Sequence, residues 1–115
     1  MKIKNLKFLF NFEDESFKKL IIDVLQKIPG QGLVPDILIF NTCDYSFTNS
    51  DAGNDGANTV WFDLRKLKKE PKKYQMKVIA HELAHLFLGH TPSNDMETHI
   101  EQDKEAKSLV KKWRF

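Results

Sequence analysis

Three of the four histidines in this 115-residue chain lie in the stretch HELAHLFLGH, positions 81 to 90. His81 and His85 are four positions apart, so on a helix their imidazoles lie on one face with Glu82 beside them. Two neutral imidazoles at this spacing can hold zinc, and the adjacent carboxylate can take a proton from a metal-bound water whose pKa zinc has lowered to about 7. The spacing therefore predicts a hydrolytic zinc site in which Glu82 is the general base.

The residues around this motif predict the helix that the geometry requires. Pro71 precedes the segment, positions 72–88 contain neither glycine nor proline, and Gly89 is a natural terminator. At 100° per residue one broad face is apolar, and His81 and His85 point away from it. That face consists of Met76, Ile79, Ala80, Leu83, Leu86 and Phe87. We therefore expect the two histidines to face a cleft and not the core.

The last segment of the chain offers a third ligand, which catalytic zinc sites usually have. Apolar residues at positions 96–113 keep helical spacing, and His99 and Asp103 lie in the middle of their stripe. Polar side chains on an apolar face need a polar partner. Zinc supplies one if His99 is the third ligand and Asp103 is a carboxylate that orients a ligand imidazole. The stripe consists of Met96, Ile100, Ala106, Val110 and Trp113, with Leu109 at its edge.

Other assignments of the third ligand stay open. His90 lacks the spacing of the third metzincin histidine, and helical phase predicts it on the side of the metal helix that carries Ile79 and Leu83. Glu101 falls on the polar face of the last helix, where a solvated charge is the simpler interpretation. A core histidine satisfied by Asp103 alone is the alternative without a metal.

Composition limits the class of protein. Hydrophobic residues make up 41% of the chain and charged residues 30%, which is typical of a soluble globular protein, and we predict one domain over positions 1–115. The 18 basic and 16 acidic residues are interleaved, so no basic face is predicted to bind nucleic acid. A single cysteine, Cys43, excludes an intrachain disulfide, and no apolar run is long enough for a membrane span. We expect a cytoplasmic protein without membrane insertion.

Three stretches predict the strands of a small sheet. Apolar residues alternate from Leu6 to Phe12, which is the period of a strand. LVPDILIFNT is rich in Ile, Leu and Phe, and ANTVWFDL, positions 57–64, alternates in facing. Between the first two strands, apolar residues at helical spacing predict a helix that ends at Pro29. The order of strands and helices predicts an α+β domain.

The polar stretch CDYSFTNSDAGNDGANT separates the second and third predicted strands. Its Asn-Asp-Gly signals predict a tight turn in a hairpin connection. Asp51, Asn54 and Asp55 offer oxygen atoms, but their spacing does not follow an EF-hand, so no calcium site is predicted. The basic run KLKKEPKK, before the metal helix, is predicted to be a solvated turn, with steering of an acidic substrate as the alternative.

HELAH, followed by a helix that carries a ligand and an Asp four residues later, resembles the gluzincin metallopeptidases. Their second helix reads Glu-x-x-x-Asp, and HIEQD, His99 to Asp103, holds that place here. The His in place of Glu, the short length and the missing membrane segments make the chain similar to the minigluzincins, minimal soluble relatives of the catalytic domains of integral-membrane metallopeptidases. The resemblance spans nearly the whole chain but depends on five residues, His81, Glu82, His85, His99 and Asp103.

The resemblance implies a zinc-dependent endopeptidase that acts on peptide or protein substrates. Its fold would be a minimal zincin-like domain, with a small twisted sheet, a backing helix, the metal helix and a C-terminal third-ligand helix. An extended substrate would pair with the edge strand, for which ANTVWFDL is expected. The resemblance also implies a latent zymogen whose C-terminal segment SLVKKWRF blocks the cleft or self-associates, anchored by Trp113 or Phe115.

Two alternative functions remain open at the level of sequence. One is a zinc-binding domain without catalysis, which shares every ligand with the enzyme. The other is a regulatory peptidase that cleaves a transcription factor, a group in which the third ligand is a Glu, so that a functional Glu101 would favour it. Tyr45 and Tyr74 are the candidates for stabilising the oxyanion.

Overall fold

The computed structural model describes residues 7–29, 36–46, 48–90 and 95–115. These ranges contain a four-stranded sheet and helices, so the predicted α+β class is confirmed. Leu6, Gly30 and the beginning of the second predicted strand lie outside the described residues. The elements are β1 (Lys7–Phe10), α1 (Glu15–Lys27), β2 (Ile37–Thr42), β3 (Ala52–Asn54), β4 (Thr59–Phe62), α2 (Leu64–Leu67), α3 (Lys72–Phe87) and α4 (Met96–Lys112).

The sheet has the order β1-β2-β4-β3, with β1, β2 and β4 parallel and β3 antiparallel to β4. The prediction that ANTVWFDL is an edge strand is wrong, because β4 pairs with β2 on one side and β3 on the other. The edge next to β4 is occupied by three residues of the polar stretch, Ala52–Asn54. The predicted hairpin connection between the second and third predicted strands is wrong, because β2 and β4 are parallel. The tight turn instead joins β3 to β4, and in it the Asp55 carboxylate accepts hydrogen bonds from the backbone N–H groups of Ala57, Asn58 and Thr59 at 2.9 to 3.0 Å.

One face of the sheet packs against α1 and α3 to form the core. Alternate residues of β2 and β4, such as Phe40 and Phe62, are fully buried there. Helix α1 begins at an N-cap, Asp14, whose carboxylate accepts the N–H of Phe17 at 2.9 Å. The ring of Phe17 packs edge-on against Phe62 at 5.1 Å. The sheet and α1 thus provide the apolar surface on which the buried residues of α3, including Ile79 and Leu83, rest.

The buried apolar residues at the end of the chain lie in the C-terminal half of α4 and directly after it. Ala106, Val110 and Trp113 are buried, as the apolar stripe predicts, but Met96 is 70% exposed and Ile100 47% exposed. The prediction that the stripe is buried along its whole length is therefore wrong. Helical periodicity determines which face of a helix is apolar, and the surface available to cover that face is determined by the neighbouring elements. None of the helices in the described ranges has the length and apolar character of a membrane span.

Helix α2 is a short element that the sequence analysis did not predict. It begins after Asp63, whose fully buried carboxylate accepts the N–H groups of Arg65 and Lys66. The basic run predicted to be a solvated turn begins inside this helix, and Leu67 is fully buried. The helix therefore belongs to the core as well as to the surface.

Asp63 and Lys66 also hold the loop between β2 and β3. The second oxygen of Asp63 accepts the N–H of Tyr45 at 2.9 Å. The Lys66 ammonium donates to the carbonyl oxygens of Tyr45, Thr48 and Ser50 at 2.5, 2.8 and 3.0 Å. These contacts fix the loop immediately before β3 and therefore fix where the edge strand begins.

We predict that Asp63→Ala lowers the free energy of unfolding by about 2 kcal/mol at neutral pH, because a helix cap and a hydrogen bond to a charged group are both lost. The backbone N–H of Tyr45 lowers the pKa of Asp63 below the ordinary Asp value of 3.8, and the N–H of Lys66 and the charge of Arg65 act in the same direction, against burial. A group with a lowered pKa contributes its stability above its unfolded pKa and loses it as the pH falls through the folded pKa. Urea unfolding at a series of pH values should therefore show that the free energies of unfolding of Asp63→Ala and wild type become more alike below about pH 4.

Asp36→Ala, at an exposed carboxylate before β2, is the control and should change the free energy of unfolding little at any pH. An Asp63→Ala protein as stable as wild type at neutral pH would contradict the prediction.

Candidate metal centre

Helix α3 places His81 and His85 on the side away from Ile79 and Leu83, as predicted. Both imidazoles are partly buried, with 25% and 13% of their side-chain surface exposed. Their rings are perpendicular with centroids 4.7 Å apart, and their Nε2 atoms are 3.2 Å apart. One turn of helix thus brings two imidazole nitrogens to one point, as a metal site requires.

Asp103 on α4 brings a carboxylate to the same point. Its Oδ1 lies 2.9 Å from Nε2 of His81 and 3.8 Å from Nε2 of His85. Within the described part of the chain, ligand atoms of these three residues all lie within 4.8 Å of one another, and the group can bind a metal ion. The structure therefore brings together three of the residues that the sequence analysis selected.

The structure does not place His99 in this close group of ligand atoms. His99 is exposed on α4, one turn before Asp103, although it lines the same cavity as His81 and His85. Glu101 is exposed on the same helix, as its predicted solvated role requires. Coordination by His99 thus stays a prediction, and Asp103, predicted to orient a ligand imidazole, stands where a ligand would.

The charges of the group suit metal binding. Burial, together with the neighbouring imidazoles of His81 and His90, lowers the pKa of His85 to about 4, so His85 is neutral near pH 7. Partial burial raises the pKa of Asp103, but the hydrogen bond from Lys107 and the charges of His81 and Lys107 outweigh it, so this pKa lies below its ordinary value. A neutral imidazole and an ionised carboxylate are the forms that coordinate metals.

Glu82 is one of the few buried charged residues in the described ranges, and it is 9% exposed. Its Oε2 accepts a hydrogen bond from Nδ2 of Asn54, in the edge strand β3, at 2.8 Å. Burial raises the pKa of Glu82, and the Asn54 hydrogen bond opposes the rise. The sequence analysis considered Asn54 only as a source of oxygen for calcium. Its role follows from the pairing of β3 with β4, which places it beside α3.

His90 contacts the site from beyond the end of α3, which the sequence analysis did not predict. Gly89 has a φ of 71°, and the N–H groups of Gly89 and His90 bond back to the carbonyls of Leu86 and His85 at 3.1 and 3.0 Å, a Schellman motif. The prediction that His90 lies on the side of Ile79 and Leu83 is wrong, because the left-handed glycine takes the chain out of helical phase. Nδ1 of His90 instead lies 2.9 Å from Nδ1 of His85.

Two open cavities meet at His81 and Glu82, with volumes of about 710 and 380 Å³. The smaller contains the three candidate ligands, and the larger extends along α4 to Val110 and Phe115. Trp113, one of the two predicted anchors of the C-terminal segment, is instead buried against Phe87 at 5.8 Å. The site therefore opens onto a cleft with room for an extended ligand.

The two tyrosines considered as oxyanion donors have other contacts. The Tyr74 hydroxyl donates to the Asp51 carboxylate, and this hydrogen bond, with burial, raises the pKa of Tyr74 to about 12. Burial, with a hydrogen bond to Cys43, raises the pKa of Tyr45 to about 12 as well. Both hydroxyls are thus protonated at neutral pH, and neither lines the two cavities.

Family models, curated proteins and solved structures were compared with this chain, and none of them matches it.

We predict that Asn54→Ala raises the pKa of Glu82 in the metal-free protein, because the ionised carboxylate loses the hydrogen bond that favours it. NMR titration of the Glu82 side-chain carboxyl carbon would measure the change. Asn11→Ala is the control, since Asn11 donates to Asn41, outside this site. An unchanged titration of Glu82 in Asn54→Ala would show that the contact does not act on its ionisation.

Proposed function

We propose that this chain is a zinc-dependent endopeptidase with a minimal zincin-like fold of the minigluzincin type. The observation that carries the proposal is the convergence of His81 Nε2, His85 Nε2 and Asp103 Oδ1 beside the buried carboxylate of Glu82. Two histidines and one carboxylate are a ligand set of hydrolytic zinc sites that leave a position open for water.

The distances among the three ligand atoms support zinc. Bonds of about 2.0–2.1 Å in a tetrahedral site place ligand atoms roughly 3.3 Å apart. The observed separations, 2.9, 3.2 and 3.8 Å, bracket this value. Asp103 is accordingly proposed as the third ligand on geometry, and His99, which lines the same cavity, is the alternative from the sequence pattern.

In the proposed reaction Glu82 is the general base. Bound zinc would supply a Lewis acid that acidifies a water and polarises the scissile carbonyl. The Glu82 carboxylate, held in place by Asn54, takes the proton of the attacking water and passes it to the leaving amine. Its raised pKa suits a group that must both accept and release a proton near neutral pH.

The edge strand supports binding of an extended peptide. β3 is the edge strand of the sheet. Ala52, in β3, and Ser50, just before it, line the larger cavity together with His81 and Glu82. A peptide that adds to a sheet edge is held by main-chain hydrogen bonds with little dependence on its sequence. The proposed substrate edge is accordingly β3, one strand beyond the position predicted from the sequence.

The proposal includes latency and a cytoplasmic location. Phe115, the last residue, lines the larger cavity beside His81 and Glu82, which supports a C-terminal segment that restricts substrate entry. The buried Trp113 would anchor that segment on the core next to the cleft. A single cysteine and no disulfide suit a reducing compartment.

The second candidate is a regulatory peptidase that cleaves a transcription factor, because the third ligand of that group is also a carboxylate, although it is a Glu. The candidate ligand here is Asp103 and not the exposed Glu101. Denatured casein as substrate separates the two functions. A general endopeptidase cuts it once the C-terminal segment no longer hinders entry, whereas a dedicated regulatory peptidase binds zinc equally well and leaves casein intact.

The assignment of the third ligand can be tested by zinc content. We expect wild type to hold one zinc per chain after dialysis, Asp103→Ala to lose most of it, and His99→Ala to retain it, because only Asp103 lies within the close group. Elemental analysis of the three proteins, prepared side by side, gives the result. Loss in His99→Ala with retention in Asp103→Ala would reverse the assignment, and no zinc in reconstituted wild type would refute the metalloenzyme.

Glu82→Gln tests the general base. We expect hydrolysis of a quenched fluorescent peptide to fall by on the order of 10²- to 10⁴-fold, because an amide cannot accept the proton. Zinc content should be unchanged, since Glu82 is outside the proposed ligand set. Glu101→Gln, at an exposed carboxylate on α4, should hydrolyse the peptide as wild type does. Equal activity in Glu82→Gln would remove Glu82 from the mechanism.

A further inference from the structure

We propose that His90 and Glu105 are positioning residues that set the tautomer and orientation of His85, so that its Nε2 lone pair faces the metal centre. The inference rests on the proposed function, because it assigns a role toward the same metal site. Neither residue belongs to the close group of ligand atoms in the described part of the chain. Their action is therefore through His85 and not on the metal itself.

A continuous row of side-chain contacts leads from Glu105 to the ligand group. Oε2 of Glu105 lies 3.2 Å from Nε2 of His90, and Nδ1 of His90 lies 2.9 Å from Nδ1 of His85. The other nitrogen of His85, Nε2, faces Nε2 of His81 and Oδ1 of Asp103. Each imidazole in the row thus uses one nitrogen toward Glu105 and the other toward the ligand group.

The hydrogen-bonding capacity of each group decides where the protons are. An ionised carboxylate only accepts, so His90 must donate to Glu105 through Nε2–H. A neutral imidazole has one N–H, so Nδ1 of His90 is an acceptor, and the donor 2.9 Å from it must be Nδ1–H of His85. Nε2 of His85 is then left with its lone pair, directed at the ligand group. A carboxylate on α4 thereby sets the tautomer of a histidine on α3 through an intervening imidazole.

Burial and backbone geometry keep this arrangement in place. The side chain of His90 is 10% exposed, so water has little access to replace it. The Schellman motif at Gly89 fixes the His90 backbone directly to the carbonyl of His85. Metal-bound histidines usually donate their second N–H to a carboxylate or carbonyl, and loss of that partner typically weakens metal binding by about 10- to 100-fold. His90 occupies the place of that partner here, and Glu105 orients it.

The test combines zinc affinity with a direct measurement of the tautomer. We expect His90→Phe, which keeps a ring but removes the acceptor, to weaken zinc binding by about 10- to 100-fold in competition with a chromophoric chelator. Glu105→Ala should weaken it by a smaller factor in the same direction. Glu105→Gln should restore most of the loss, because the amide oxygen still accepts from Nε2–H of His90. Glu97→Gln, at an exposed carboxylate on the same helix, is the charge-matched control and should bind as wild type.

Long-range ¹H–¹⁵N NMR of the imidazole rings in the metal-free protein reports the tautomer without any metal or activity. Wild-type His85 should carry its proton on Nδ1, and Glu105→Ala should convert it to a mixture of tautomers. A merely structural role of Glu105, which is more than half exposed, would leave the tautomer unchanged. His85 protonated on Nε2 in wild type would overturn the inference, as would wild-type zinc affinity in both His90→Phe and Glu105→Ala. If wild type binds no zinc, the proposed function is refuted. The NMR measurement of the His85 tautomer still tests whether His90 and Glu105 position His85.

Discussion

Close packing of α4 on α3 is the constraint on which the candidate site depends. Ala106 and Val110 of α4 are buried, and the contact includes the edge-on packing of Phe87 against Trp113. A small residue such as Ala106 allows two helices to approach closely, and a larger one at its position would force them apart. Asp103 precedes Ala106 by one turn of the same helix, so the distance between its carboxylate and the histidines is determined by this contact. The geometry of the candidate metal site therefore depends on core packing.

The position of Glu82 depends on a second set of contacts, which begins in the sheet. A carboxylate removed from water is costly unless it has a partner, and Asn54 is that partner. Asn54 is in place because β3 pairs with β4, and β3 is in place because Asp63 and Lys66 hold the preceding loop. At Gly53 this loop approaches so closely that an added Cβ would lie 2.7 Å from the Tyr45 hydroxyl. Glu82 and the three candidate ligands thus depend on separate sets of contacts that meet at α3.

The sequence predicts the parts of this molecule that depend on local signals. Helix α3 has a proline before it, a glycine after it and a clear apolar face, so His81, Glu82 and His85 could be placed correctly. Strand β3 could not, because Ala-Gly-Asn has no strand propensity and pairs only because β4 offers it an open edge. The contact of His90 depends on one left-handed glycine, and Met96 is exposed although it belongs to the apolar stripe of α4. These features depend on tertiary contacts, which the periodicity of the sequence does not predict.

The Lys107 ammonium, 3.1 Å from the second oxygen of Asp103, gives the site a further property. It lies one turn along α4 and neutralises part of the carboxylate charge while no metal is bound. The candidate site therefore carries its own counterion at the carboxylate that a divalent cation would use. Lys107 also lines the larger cavity, so the same side chain is presented to any ligand in the cleft. A metal ion bound to Asp103 would compete with this ion pair, and its binding would therefore change the electrostatic potential of the cleft.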